Sequence, residues 1–228
     1  MNTVLTIDTS SVNCAVALQR GSLFIERVSD AQRQSAQRIL PMISELLAEA
    51  EIQIQDLDLI AVVAGPGSFT GVRIGVAVAQ GLSLTGMIPV VPLSSLALLA
   101  MASMRDFAGE KVLVSECARE GELYFAAYQS SAERGVQLIG REQVALIDDI
   151  DPLAAEFQGE SWHLAGDGWD ESIAILRHLG CSAVDQPSTP TIGNKLIAQL
   201  GLLRFECGEA ISAAELRPNY VKEQLDYK

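Results

Sequence analysis

The stretch VLTIDTSSVNCAVALQ, Val4 to Gln19, is echoed at an offset of about 108 residues by VLVSECAREGELYFAAYQ, Val112 to Gln129. Each copy opens Val-Leu as an apolar strand, breaks at a polar turn and resumes as an alternating strand. The echo reads the chain as two related halves of one α/β design. After the first copy, LFIERVSD adds a third strand beyond the turn at Gly21. Apolar residues at Ala36, Ile39, Leu40, Ile43, Leu46, Leu47 and Ala50 then follow the 3.6-residue period of an amphipathic helix, which Pro41 either begins or kinks. DLIAVVAG is a continuous apolar run, as expected of a strand buried on both faces. A helix from Ser68 to Thr85, the short strand IPVVPL and the helix SSLALLAMASM complete the half.

Strands grouped first and then alternating with helices predict a mixed sheet. The polar turn RDFAGE, with Gly109, sets the expected boundary, giving halves of 1–109 and 110–228. In the second half, GVQLIGREQVALIDDID reads as one or two strands and LAAEFQG as a short helix. WHLAGDGWD reads as a strand ending in a Gly-Asp-Gly turn, and a helix is expected from about Ile192.

The chain has 228 residues, 49% of them hydrophobic, enough for a substantial buried core. Its 29 acidic against 16 basic residues give a net charge of -13, which repels a nucleic-acid backbone at long range. Four scattered cysteines, with no C-x-x-C pair, fit reduced thiols better than a zinc knuckle or a disulfide framework. The N-terminus lacks a basic region followed by an apolar core, so neither a secretory leader nor any site but the cytoplasm is expected. No charge occurs from Ile74 to Met104, but Gln80, Pro89 and Pro92 interrupt that span, and no membrane helix is expected.

GPGSFTGVRIG, Gly65 to Gly75, lies between the expected buried strand and helix. Its backbone N–H groups and helix start suit an anion, and Asp8, Gly65, Gly67 and Ser68 are the candidate nucleotide-binding residues. The stretch suits better a tight turn in which Gly65 and Gly67 take unusual backbone angles and Ser68 caps the helix. It has neither the Lys-Ser/Thr of a P-loop nor a G-x-G-x-x-G. Asp8 likewise either orients a metal-bound phosphate or caps its own turn. The helix that follows is apolar on every side, with Gly71, Gly75, Val78 and Leu82 forming a stripe whose first turns admit a close neighbour. His163 and His178 are too far apart for a helical metal pair, and no nucleophile elbow or H-E-x-x-H is present.

With LTIDTS, QRILP, GPGSFTGVRIG, AQGLSL, AREGELYFAAY and GDGW in order, the chain resembles the TsaB (YeaZ) family over essentially its whole length. The resemblance implies the duplicated actin-like ATPase (ribonuclease H-like) fold of sugar kinases, with mixed sheets and flanking helices. It also implies a subunit of the bacterial machinery that forms N6-threonylcarbamoyladenosine in tRNAs reading codons that begin with adenine. In that machinery TsaB pairs with its paralogue TsaD, which transfers the threonylcarbamoyl group and holds the metal-binding histidines, and the ATPase TsaE joins them. The resemblance assigns TsaB no catalytic residue, metal or cofactor of its own; ATP and Mg belong at most to the complex, and tRNA is met only indirectly.

Its first-domain helices contact TsaD, or a second TsaB copy when TsaD is absent. Carried onto this chain, the interface residues are Ile39, Ile43, Leu46, Leu47, Gly71, Val72, Arg73, Gly75, Val78, Ala79 and Leu82. Two positions depart from the pattern: Ser35 stands where many relatives have histidine, and Cys117 replaces the aspartate of the D-A-R-x-G-E-x-Y element. Both departures weaken an independent metal or nucleotide site. The competing expectations are an autonomous actin-like ATPase or kinase using Asp8 and the Gly65 loop, and a glycopeptidase-like hydrolase.

Overall fold

A computed structural model describes residues 2–30 and 35–221. The described backbone divides into two compact units, residues 2–30 and 35–95 with 193–219, and residues 96–192 with 220–221.

In the first unit, β1 (Thr3–Asp8), β2 (Cys14–Arg20) and β3 (Leu23–Ser29) form an antiparallel meander, and α1 (Ser35–Glu49) follows. β4 (Leu59–Gly65), α2 (Phe69–Gly86) and β5 (Val90–Ser94) continue it. The sheet order is β3-β2-β1-β4-β5, with β4 parallel to both β1 and β5. The second unit begins with α3 (Ser95–Phe107) and repeats the scheme with β6 (Lys111–Cys117), β7 (Leu123–Ser131) and β8 (Gly135–Ala145). β9 (Ser161–Ala165), α4 (Ser172–Leu179) and β10 (Ser182–Ala183) follow. Its sheet order, β10-β9-β6-β7-β8, is that of the first sheet read from the other end. Two mixed sheets of one topology with flanking helices are the duplicated actin-like, ribonuclease H-like architecture.

The halves match in detail. The two first strands β1 and β6 carry acids at equivalent positions near their ends, Asp8 as the last residue of β1 and Glu116 as the last but one of β6. The strand beside each runs into a Gly-x-Gly loop that leans on the turn after β1 in the first unit and on β6 itself in the second. A Cβ on Gly67 would lie 2.5 Å from the Ser10 carbonyl oxygen, and one on Gly166 would lie 2.0 Å from that of Ser115.

β4 is buried along its whole length, which accounts for its unbroken apolar run. Its side chains alternate, so Ile60 and Val62 join the core under α1 and α2, while Leu59 and Ala61 face the other way. That second face is covered by α5 (Asn194–Glu206), whose Gly201 would place a Cβ 2.6 Å from the Ala61 Cβ. Buried Asn194 meets the Thr6 hydroxyl at 3.2 Å at the start of this helix.

The expected division at 109/110 is therefore corrected in two ways: α3 belongs with the second unit, and residues 193–219 return to the first. A local pattern announces the α5 helix but not which sheet covers its apolar side. Pro41 lies inside α1 and does not begin it. LAAEFQG holds only a 3-10 turn at Ala155–Phe157, and β8 is one long strand. Among the described residues, no helix is long and apolar enough to cross a membrane.

Candidate interaction surface

The Gly65–Ser68 loop is built as a turn. Gly65 and Gly67 have φ of +111° and +153°, backbone positions that disfavour side chains. The Ser68 N–H donates to the Ser10 carbonyl at 2.7 Å, and the Ser68 hydroxyl accepts from Gly71 N–H at 3.3 Å as the helix cap. The Thr9 hydroxyl in turn donates to the Gly71 carbonyl at 2.7 Å. The β1–β2 turn thus sits directly on the loop and on the first turn of α2.

Asp8 lies under the same turn. One of its oxygens accepts from the Ser10 N–H at 2.8 Å and the Ser10 hydroxyl at 2.7 Å. Burial, only partly offset by these bonds, raises its pKa. Burial also raises the pKa of Glu116, with the Asp167 charge adding to it.

A carboxyl whose folded pKa exceeds its unfolded one favours folding fully below the unfolded pKa, and that contribution is lost as pH rises through the folded pKa. Asp8→Asn keeps an acceptor for Ser10 and removes the partly buried charge. It is expected to raise the melting temperature at pH 7, with an advantage that shrinks as pH falls through the folded pKa of Asp8. A variant less stable than the parent at pH 7 would show that the anion is stabilised in place.

Among the expected interface residues, Ile39, Ile43 and Leu46 on α1 and Gly71, Val72, Gly75 and Ala79 on α2 are buried in the first unit's own core. This corrects the expectation that the glycine stripe admits a partner. A Cβ on Gly71 would lie 1.9 Å from the Thr9 carbonyl oxygen, and one on Gly75 would lie 2.5 Å from the Thr9 hydroxyl. The small residues admit the chain's own β1–β2 turn. Leu47, Val78 and Leu82 are partly buried at the seam between core and surface, and Arg73 is exposed with its guanidinium 3.4 Å from the Phe69 ring centre.

The outward face of α2 carries Phe69, Thr70, Arg73, Ala77, Gly81, Leu84 and Thr85, with Met87 at its C-cap. Leu84 is 71% exposed and Met87 91%. α1 packs beside it and shows Ala36, Leu40, Pro41 and Ala48 among the polar Gln37, Arg38, Ser44, Glu45 and Glu49. A face this apolar on α2, with Arg73 its cation, has the chemistry of a protein contact. Sequence reasoning found the helix and Arg73 and missed the other outward residues. The available signal was the position of Ala77, Gly81 and Leu84 opposite the glycines.

The other sequence candidates do not converge. The side chain of Ser35 lies outside the described residues. Cys117 is exposed, its N–H donating to the Asp167 carboxylate at 2.8 Å. His163 Nδ1 is 3.0 Å from the Asp185 carboxylate, and His178 Nε2 is 2.7 Å from the Ile150 carbonyl oxygen. Among the described residues no three His, Cys, Asp or Glu side chains gather as a metal site.

Residues 29–173 match the family described as TsaD, tRNA N6-adenosine threonylcarbamoyltransferase. The chain is 30% identical to the tRNA threonylcarbamoyladenosine biosynthesis protein TsaB of Escherichia coli, over 99% of this chain and 96% of that protein. It is 37% identical to the TsaB of Bacillus subtilis over 81% of this chain and 82% of the relative. Among solved structures it is similar to YeaZ from Pseudomonas aeruginosa, with 30% identity and a TM-score of 0.77, covering 96% of this chain and 100% of that one. A second structure, of a protein with similarity to peptidase YEAZ from Pseudomonas aeruginosa, gives 33% identity and a TM-score of 0.80, covering 97% and 100%.

Proposed function

The chain belongs to the TsaB family of tRNA threonylcarbamoyladenosine biosynthesis proteins, and we propose that it serves this modification as a non-catalytic subunit whose α1–α2 face holds a protein partner. The observation that carries the proposal is the α2 part of that face: exposed, apolar and charged only at Arg73, on a chain of net charge -13. In this reading the partner is the TsaD of the same cell, with TsaE joining the pair, and a second copy of this chain covers the face when TsaD is absent.

The chemistry lies with the partner. Asp8, the Ser68 N–H and the cap of α2 are bonded within the chain, and both histidines have contacts of their own. The subunit then needs no cofactor of its own, and any ATP and Mg are held by the assembly. The second unit, counted with residues 222–228, carries 18 acidic against 8 basic residues, so tRNA is met through the partner. The work is cytoplasmic.

The test is co-purification with TsaD and TsaE, followed by a tRNA modification assay with each protein omitted in turn. Modification is expected to require this chain, and the chain alone is expected neither to modify tRNA nor to turn over ATP. ATP turnover by the pure chain, abolished by Asp8→Asn, would overturn the non-catalytic assignment in favour of a kinase-like enzyme.

A further inference from the structure

The second unit contains a cavity that the proposed function does not use. β8 bulges against β7: Phe125 pairs with Gln143 but Ala127 pairs with Ile139, so a two-residue step on β7 faces a four-residue step on β8. Gly140, at φ +73°, turns the chain within the bulge, and the buried Tyr128 donates its hydroxyl to Glu142 at 2.5 Å. Between the bulge and the segment from Asp151 to Ala154 lies a space of about 410 Å³. Ligand sites span roughly 300–1,000 Å³.

Phe125, Ala127, Ile139 and Leu153 supply the apolar lining. Gln143, only 8% exposed, adds a polar group whose orientation is set: its Oε1 accepts the Asp151 N–H at 2.8 Å. Among the described residues no protein group accepts from its Nε2, which is accessible from the pocket, so the lining offers a donor there. Arg141 at the rim is paired with Asp151 at 2.7 Å, and the unit's acidic excess disfavours an anion.

We propose that this cavity binds a small uncharged molecule with an apolar, ring-sized body and a carbonyl oxygen that accepts from Gln143 Nε2. The site is independent of the α1–α2 face, and its test does not depend on any partner.

The full-length protein is titrated with acetanilide and followed by backbone amide chemical shifts, with toluene (no acceptor) and benzoate (charged) as comparisons. Acetanilide is expected to give saturable shifts around Ile139, Gln143 and Leu153, with toluene and benzoate at least about fivefold weaker. Gln143→Glu keeps the acceptor for the Asp151 N–H and removes the donor, and is expected to weaken acetanilide about tenfold. Ala154→Trp, at the exposed mouth, should abolish binding and decides the matter if the first variant does not fold. Absence of saturable shifts at these residues, unchanged affinity in Gln143→Glu or Ala154→Trp, or tighter binding of benzoate would each overturn the proposal.

Discussion

Gly71→Val is expected to destabilise the protein by at least about 3 kcal/mol, a fall of roughly 6–12 °C in melting temperature for a chain of this size. In a solvated helix, replacing glycine with a residue that has a Cβ commonly stabilises, by up to about 1 kcal/mol for alanine. Here the first added atom would lie 1.9 Å from the Thr9 carbonyl oxygen, a backbone atom that no rotamer change moves aside. The clash also breaks the 2.7 Å bond from the Thr9 hydroxyl to the Gly71 carbonyl and displaces the turn against which Ser68 is fixed. Thermal unfolding of Gly71→Ala and Gly71→Val measures the effect, with valine the worse of the two. A stabilised alanine variant would show that the β1–β2 turn yields freely.

The second large effect falls on association. Ala77→Glu combined with Leu84→Glu is expected to weaken binding of TsaD, and self-association, by on the order of 100-fold or more. Stability should change by less than about 1 kcal/mol, because both side chains are exposed. Ile173→Glu, equally exposed but on α4 in the second unit, is the control and should leave association intact. Sedimentation and co-purification separate the two readouts. Retained binding by the double variant would move the contact away from α2. Gly75→Leu is no substitute, because its Cβ meets Thr9 and unfolding would be mistaken for lost binding.

The fold was legible wherever local periodicity and tertiary role coincide. The paired strands at Val4 and Val112, the buried run at β4 and the Ser68 cap all take part in contacts that their own spacing announces. The proposed interface was legible only as a helix. Two requirements produce the same small-residue stripe on α2: close approach to a strand end and close approach to a partner. Composition cannot tell which of them placed Gly71 and Gly75. Burial separates them, assigning those two inward and Ala77, Gly81 and Leu84 outward. Gly201 carried a similar unread message, since a glycine inside a helix marks a neighbouring backbone but does not name it.

The return of α5 to the first sheet has a consequence for synthesis. At 5–20 residues per second, the ribosome takes roughly 5–20 s to make residues 96–192 before the helix that covers Leu59 and Ala61 exists. Throughout that interval the nascent first unit has one apolar sheet face bare, and a chain released before Gly193 keeps it bare for good. Of the two units, the one begun first therefore gains its cover only after the body of the other, residues 96–192, has been made.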